Sequence, residues 1–160
     1  MNLTSKGRYA VTAMLDLAMH ASTGATPLSD ISQRQSISRC YLEQLFRKLR
    51  KAQLVNSSRG PGGGYRLARP PEEISLAHII DAVDEITDNT GCQDDLPCDM
   101  NHQCLSHRLW LRLSQEIHDY LSGTSLRDLM QREGIQRVAN RQDLRMAQPP
   151  IDGTPIQLQE

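Results

Sequence analysis

Apolar side chains recur at three- and four-residue steps through the N-terminal third of the chain, in runs separated by short polar turns. Tyr9, Ala10, Ala13, Met14, Leu17 and Ala18 make one stripe, which predicts an amphipathic helix from about Ser5 to Ala21. Ser22-Thr23-Gly24 ends it. A short helix over 28–35 follows Pro27, with Ser29 as its expected N-cap and Leu28 and Ile31 facing inward. Ser36-Ile37-Ser38 makes a tight turn, and Ser38 caps a helix from Arg39 to about Ala52 whose inner stripe is Leu42, Leu45, Phe46 and Leu49. Two short helices joined by so tight a turn form a helix-turn-helix pattern.

The next stretch leaves the helical period. Leu54-Val55 and Tyr65-Arg66-Leu67 read as strands, and the residues between them end in the glycine-rich tip Arg59, Gly60, Pro61, Gly62, Gly63, Gly64. Two strands with such a tip make a hairpin, or wing, and glycine lets its backbone approach a groove or phosphate closely. A nucleotide-binding loop is the rival reading. It fails because no Lys-Ser/Thr pair follows the glycines and no helix begins there.

The outer face of the 39–52 helix is polar and basic: Arg39, Cys40, Glu43, Gln44, Arg47, Lys48 and Arg50. Side chains near the start of such a helix reach base edges in the major groove, where glutamine pairs with adenine, arginine with guanine and glutamate with the cytosine amino group. The expected contacts to double-stranded DNA are Ser38, Cys40, Tyr41, Glu43, Gln44, Arg47 and Lys48 from this helix, and Arg59, Gly60, Gly62 and Gly63 from the wing. Arg59 is placed to enter a narrow minor groove. Lys6, Arg8, Lys48 and Lys51 are expected on phosphates, which gives affinity rather than sequence choice. Glu43 is the one acid on this face; it either reads a base or pairs with Arg39 or Arg47 at i±4 spacing.

Charge divides the chain in the same place. Residues 1–69 hold eleven Lys/Arg against three Asp/Glu, a net +8, whereas residues 70–160 hold seven Arg against sixteen acids, a net −9. A basic half that meets a polyanion and an acidic half that does not are expected from that asymmetry. The division gives a DNA-binding unit at 1–69, a second unit at 70–137 and an unstructured tail at 138–160, polar and proline-bearing, with Gly134 ending the last helical turn.

The second unit carries Cys92, Cys98, Cys104 and His107 in a C-x5-C-x5-C-x2-H run, with three of the four cysteines in the chain. Thiolates and imidazole are soft ligands, suited to zinc or an iron–sulphur cluster and poorly to calcium or magnesium. Gaps of five residues are wider than the usual zinc knuckle and suit a loop that wraps a multi-atom cluster. A disulfide with a free thiol, or a thiol redox switch, remains open on spacing alone. No secretory leader is expected at the N-terminus and no apolar window is long enough for a membrane span, so a cytoplasmic, thiol-reducing setting is the expectation. His102, between Asn101 and Gln103, reads as a solvated loop residue. Ile74 to Val83 is expected as a short helix. Leu105, Leu109, Leu113, Ile117, Tyr120 and Leu121 make the stripe of a longer one over about 105–121. That stripe is either ordinary core or, as expected here, the pairing face of a homodimer, which would also match a palindromic DNA site. The fold class is therefore mainly α with a small β-hairpin wing: a winged helix-turn-helix plus a long dimerisation helix.

With both halves in view, the chain resembles the IscR-like iron–sulphur cluster regulators, a winged-helix family that includes the nitric-oxide-sensing NsrR branch. The resemblance runs nearly to the tail. Its most specific stretches are LTSKGRYAVTAMLD at 3–16, YLEQLF at 41–46, RGPGGGY at 59–65 and the Cys92, Cys98, Cys104, His107 run. The resemblance implies a homodimeric transcription regulator, not an enzyme, with a 2Fe–2S cluster per subunit held by those four residues. It also implies the iron–sulphur assembly machinery as cluster donor and control of cluster-assembly genes. The match at His107 favours the cluster-regulator branch over an NsrR-like repressor with a different cluster; a zinc-stabilised repressor is the further alternative. Cys40 stands where such a regulator would be expected to carry serine.

Overall fold

The computed structural model describes residues 4–21, 24–60, 62–84 and 107–147. Cys92, Cys98, Cys104 and Leu105 lie outside the described residues, as does the chain from 148 onward. The elements in chain order are α1 (Ser5–Met19), α2 (Leu28–Gln35), α3 (Arg39–Lys51), β1 (Val55–Ser58), β2 (Gly64–Leu67), α4 (Leu76–Val83), α5 (His107–Ser122), α6 (Leu126–Met130) and α7 (Glu133–Ala147). This is the mainly helical fold with a hairpin that the periodicities predict.

Local signals set most of the boundaries. Thr4 caps α1 by accepting the Gly7 N–H at 3.1 Å, and Ser38 caps α3 by accepting the Tyr41 N–H at 3.3 Å. Each such cap satisfies an otherwise orphaned donor and contributes about 1 kcal/mol. Ser29 does not cap α2. Pro27 occupies that position with no side-chain bond, and the Ser29 hydroxyl donates to Asp30 Oδ1 within the helix. The fixed φ of proline suits the entry to a helix, which places the cap two residues earlier than expected. α4 and α6 both begin with capping boxes, Ser75 with His78 and Ser125 with Asp128.

Ser36 has φ 54°, the left-handed conformation that ends α2 and aims the chain into α3. Ser32 holds the turn by donating from its hydroxyl to the Ile37 carbonyl at 2.6 Å. The wing is a two-stranded antiparallel hairpin with Val55 opposite Leu67 and Ser58 opposite Gly64. Its outer strand is docked by Thr26, which exchanges two backbone hydrogen bonds of 2.9 Å with Tyr65. A Cβ at Gly64 would collide with the Thr26 carbonyl, so only glycine permits this docking.

One hydrophobic core runs through the described chain. Met14 and Leu17 of α1, Ile31 of α2, Leu42, Phe46 and Leu49 of α3, Val55 of β1, Ile79 and Val83 of α4 and Leu126 of α6 are all buried in it. The boundary drawn at residue 69 therefore separates segments that share a core: α4 packs on both α1 and α3. Backbone bonds of 2.9 Å, from Leu76 N–H to the Thr124 carbonyl and from Leu126 N–H to the Ile74 carbonyl, tie the entries of α4 and α6 together.

The C-terminal end differs most from expectation. Gly134 lies in the first turn of α7, and that helix runs through Arg141 to Ala147. Its reason is tertiary. Ala139 is buried, Gln35 of α2 donates to Gln142 Oε1 at 2.9 Å, and His20 Nε2 lies 3.0 Å from Asp143 Oδ1. A polar helix with little apolar surface forms when partners outside it supply the packing.

Candidate DNA-binding face and metal-binding segment

The inner stripe of α3 is buried to the last residue, with Leu42, Leu45, Phe46 and Leu49 at most 3% exposed. Its other face is thereby turned outward. Cys40, Glu43, Gln44, Arg47 and Arg50 are exposed there, and Cys40 is a free thiol. Arg50 Nη1 donates to Ser57 Oγ at 3.4 Å, joining the outer side of α3 to β1. Phe46 meets Tyr65 edge-on at 4.7 Å from the inner side, so the hairpin is fixed relative to the helix by both faces.

Not every expected contact residue stands free on that surface. Ser38 uses its hydroxyl in the cap. Tyr41 is half-buried and packs edge-on against Tyr9 of α1 at 5.7 Å, with the Arg8 guanidinium 5.4 Å from the Tyr9 ring centre. Glu43 accepts from Arg39 Nε at 3.2 Å. Both partners are at least half exposed, and an exposed i,i+4 pair is worth only a few tenths of a kcal/mol, so a competing partner can displace it. Lys48 is turned inward: its Nζ donates to the Val83 carbonyl at 3.0 Å. In the wing, Arg59, Gly60 and Gly62 are exposed and Gly63 is half-buried. Gly60 and Gly62 have φ of 100° and 76°, and Gly63 N–H closes the tip on the Gly60 carbonyl at 2.8 Å.

Asp16 is a positioning residue that the periodicity of α1 does not reveal. Its carboxylate, in a residue only 4% exposed, accepts from Arg34 Nη2 at 2.7 Å, from Arg34 Nε at 2.9 Å and from Gln35 Nε2 at 2.7 Å. The side-chain bond to Asp16 raises the Arg34 pKa above its ordinary value against the opposing effect of burial. This fork holds the last turn of α2 against α1, immediately before the Ser36 turn that aims α3. The available signal was an acid on the inward side of α1 with few bases nearby in sequence. Thr26 gave no signal, because a single bridging residue has no period.

Of the four candidate metal ligands, only His107 is among the described residues, as the first residue of α5. Among the described residues no group of three or more His, Cys, Asp or Glu side chains could hold a metal ion. The fit test is therefore the donor set itself. Three cysteines within thirteen positions and an imidazole three residues on supply the sulphur and nitrogen donors of iron–sulphur and zinc chemistry, without a competing carboxylate among the four.

On α5 the apolar stripe is largely uncovered. Leu109, Leu113 and Tyr120 are 65%, 42% and 64% exposed, Ile117 is half-buried, and only Leu121 is buried, at 8%, in the core of its own chain. Leu121 is thus a core residue and Ile117 packs against the core, whereas Leu109, Leu113 and Tyr120 face outward. Among the described residues no helix is long and apolar enough to cross a membrane.

Comparison with known proteins gives a consistent result. The Rrf2 family model, described as an iron-dependent transcriptional regulator, matches residues 3–132. A putative HTH-type transcriptional regulator, ORF2, of Azotobacter vinelandii is 57% identical over 91% of this chain and 88% of its own length. The HTH-type transcriptional regulator IscR of Aliivibrio salmonicida is 56% identical over 90% of this chain and 86% of its own. Among solved structures, T. potens IscR matches with a TM-score of 0.68 and 34% identity, over 93% of this chain and 94% of that one. CymR, the global cysteine regulator of B. subtilis, matches with a TM-score of 0.66 and 34% identity, over 81% of this chain and 96% of that one.

Proposed function

We propose that this chain, which belongs to the Rrf2 family of transcriptional regulators, reports iron–sulphur cluster status to DNA as a homodimer. It is a DNA-binding transcription regulator of the IscR type, and a regulator rather than an enzyme. The observation that carries the DNA reading is the outer face of α3, exposed and rich in Arg and Gln, joined to the wing through Arg50 and Ser57. Base contacts from Cys40, Glu43, Gln44 and Arg47, and a minor-groove contact from Arg59, follow from that face. Ser38 and Tyr41 act chiefly by holding α3 in place.

Cys92, Cys98, Cys104 and His107 are the residues that would hold a 2Fe–2S cluster, received from the iron–sulphur assembly machinery of the cytoplasm. The cluster would supply a group whose presence depends on cellular iron and sulphide. Loss of an imidazole ligand is easier than loss of a thiolate, because imidazole is protonatable and neutral, which suits a sensor of cluster supply. The 1–69 unit would read DNA, the 70–137 unit would carry the cluster and the pairing helix, and cluster-assembly genes would be the targets. Leu109, Leu113, Ile117 and Tyr120, with Leu105, would form the dimer face.

Protein purified without oxygen should absorb in the visible and hold about two irons and two sulphides per chain. A colourless protein with one zinc per chain overturns the cluster reading in favour of a zinc-stabilised repressor, and a larger iron count points to the NsrR-like branch. DNA binding should fall steeply with salt. Salt-insensitive binding to duplex would remove the regulator mechanism proposed for α3.

A further inference from the structure

The last turn of α4 immediately precedes the segment whose sequence carries Cys92, Cys98 and Cys104, and it is held from two sides. From α3, Lys48 Nζ donates to the Val83 carbonyl at 3.0 Å. From α1, Thr4 Oγ1 donates to Asp84 Oδ1 at 2.6 Å, while the same hydroxyl accepts the Gly7 N–H at 3.1 Å as the cap of α1. The carbonyls in the final turn of a helix have no partner within it and carry partial negative charge, so an ammonium there is favourably placed. Val83 is fully buried and Lys48 is half-buried, so water competes only in part for this contact. Asp84 Oδ2 is also buried and has no hydrogen-bond partner among the described residues, so the carboxylate is held by Thr4 alone.

We propose that Lys48 is a positioning residue rather than a phosphate contact: its clasp on the Val83 carbonyl ties the orientation of α3 to the end of α4, and so to the state of the cysteine-bearing segment that begins there. The clasp lies on the recognition helix itself, one residue after Arg47 of the exposed face. A displacement of the α4 terminus therefore reaches α3 directly, through this hydrogen bond and the packing of the two helices, without passing through the dimer helix. Thr4 opposes that displacement from α1 and sets the resting position. This rests on the reading of α3 as the DNA helix and of residues 92–107 as the cluster site.

The test compares wild-type protein with Lys48→Met and, from the other side of the clasp, Thr4→Val, which leaves every charge on α3 in place. Each is prepared anaerobically with cluster and again after chelator treatment. Affinities are measured for a duplex selected by the wild-type protein from a random-sequence pool, and salt dependence for an unselected duplex. Wild-type protein should show different affinities with and without cluster. In Lys48→Met that ratio should move about threefold or more toward one, the salt slope should stay unchanged, and the Val83 carbonyl carbon resonance of the cluster-free protein should shift upfield. Thr4→Val should move the ratio in the same direction. A salt slope lowered by about one in Lys48→Met makes Lys48 a phosphate contact and overturns the proposal. An unchanged ratio in both variants reduces the clasp to a helix cap and overturns it too. Equal wild-type affinities with and without cluster overturn the sensor reading, and the proposal with it, before any variant is compared.

Discussion

α3 and α5 are amphipathic helices of similar length, 13 and 16 residues, and in sequence their apolar stripes look alike. In the folded chain they have opposite fates. The α3 stripe is covered completely by α1, α2, α4 and the wing, with Phe46 and Leu42 at 0% exposure, whereas Leu109 and Tyr120 of α5 are about two-thirds exposed. A helical period thus says which side of a helix is apolar and nothing about what covers it. In α3 the complete burial of one face is what turns the other outward, where the proposed function has it meet DNA. In α5 the uncovered face is what a second copy would bury.

The contrast can be broken first at the α3 side. Phe46→Ala should cost about 3–5 kcal/mol in urea unfolding, since it empties a fully buried site against Tyr65. A loss below 1 kcal/mol would mean that the α3 stripe is no more committed to the core than that of α5. Asp16→Ala should cost about 3 kcal/mol by the same measurement, because it strands the Arg34 guanidinium in a nearly buried position. It should also weaken specific DNA binding more than nonspecific binding, as the turn before α3 loosens. Ser38→Ala, which removes the α3 cap, should cost about 1 kcal/mol.

On α5 the same kind of substitution should leave the chain folded. Leu109→Glu with Leu113→Glu should change the stability of the single chain by about 0.5 kcal/mol or less, while sedimentation shows monomer in place of dimer. A fully folded dimer in that variant would assign pairing to another surface. The smallest effect is at the α6 cap. Hydrogen bonds from the Ser125 N–H and hydroxyl hold the Asp128 carboxyl below its ordinary pKa. A lowered folded-state value means that this contribution is present above the usual carboxylate range and is lost as pH falls through the folded value. Asp128 is fully exposed, so Asp128→Asn should only flatten the acid limb of the stability profile slightly.

Much of the candidate site is legible residue by residue. Ser38 announces the start of α3, the four-residue inner stripe announces its orientation, and the glycines of the tip announce the hairpin. Those are local signals, expressed within one turn of helix or one strand pair. The features without a local signal involve partners far away in sequence. Lys48 looks like any basic surface residue until Val83, thirty-five positions on, is seen beside it. Glu43 keeps both of its sequence-stated alternatives: it pairs with Arg39 in the free chain through a contact weak enough for a base to displace. Leu121 shares the α5 stripe yet belongs to the intramolecular core, because α5 meets α4 at that end of the helix.

By itself the sequence determined the identity of the elements, the polarity of their faces, the basic and acidic division of the chain and the soft-donor run from Cys92 to His107. These depend on periods and spacings of a few residues. Only the tertiary structure decided that residues on both sides of position 69 share one core, that α7 extends to Ala147 against α2, and that Lys48 and Thr4 grip the end of α4. Those outcomes depend on contacts between residues 35 to 123 positions apart. Their energy comes from burial and paired polar groups rather than from local propensity, and no local pattern encodes it.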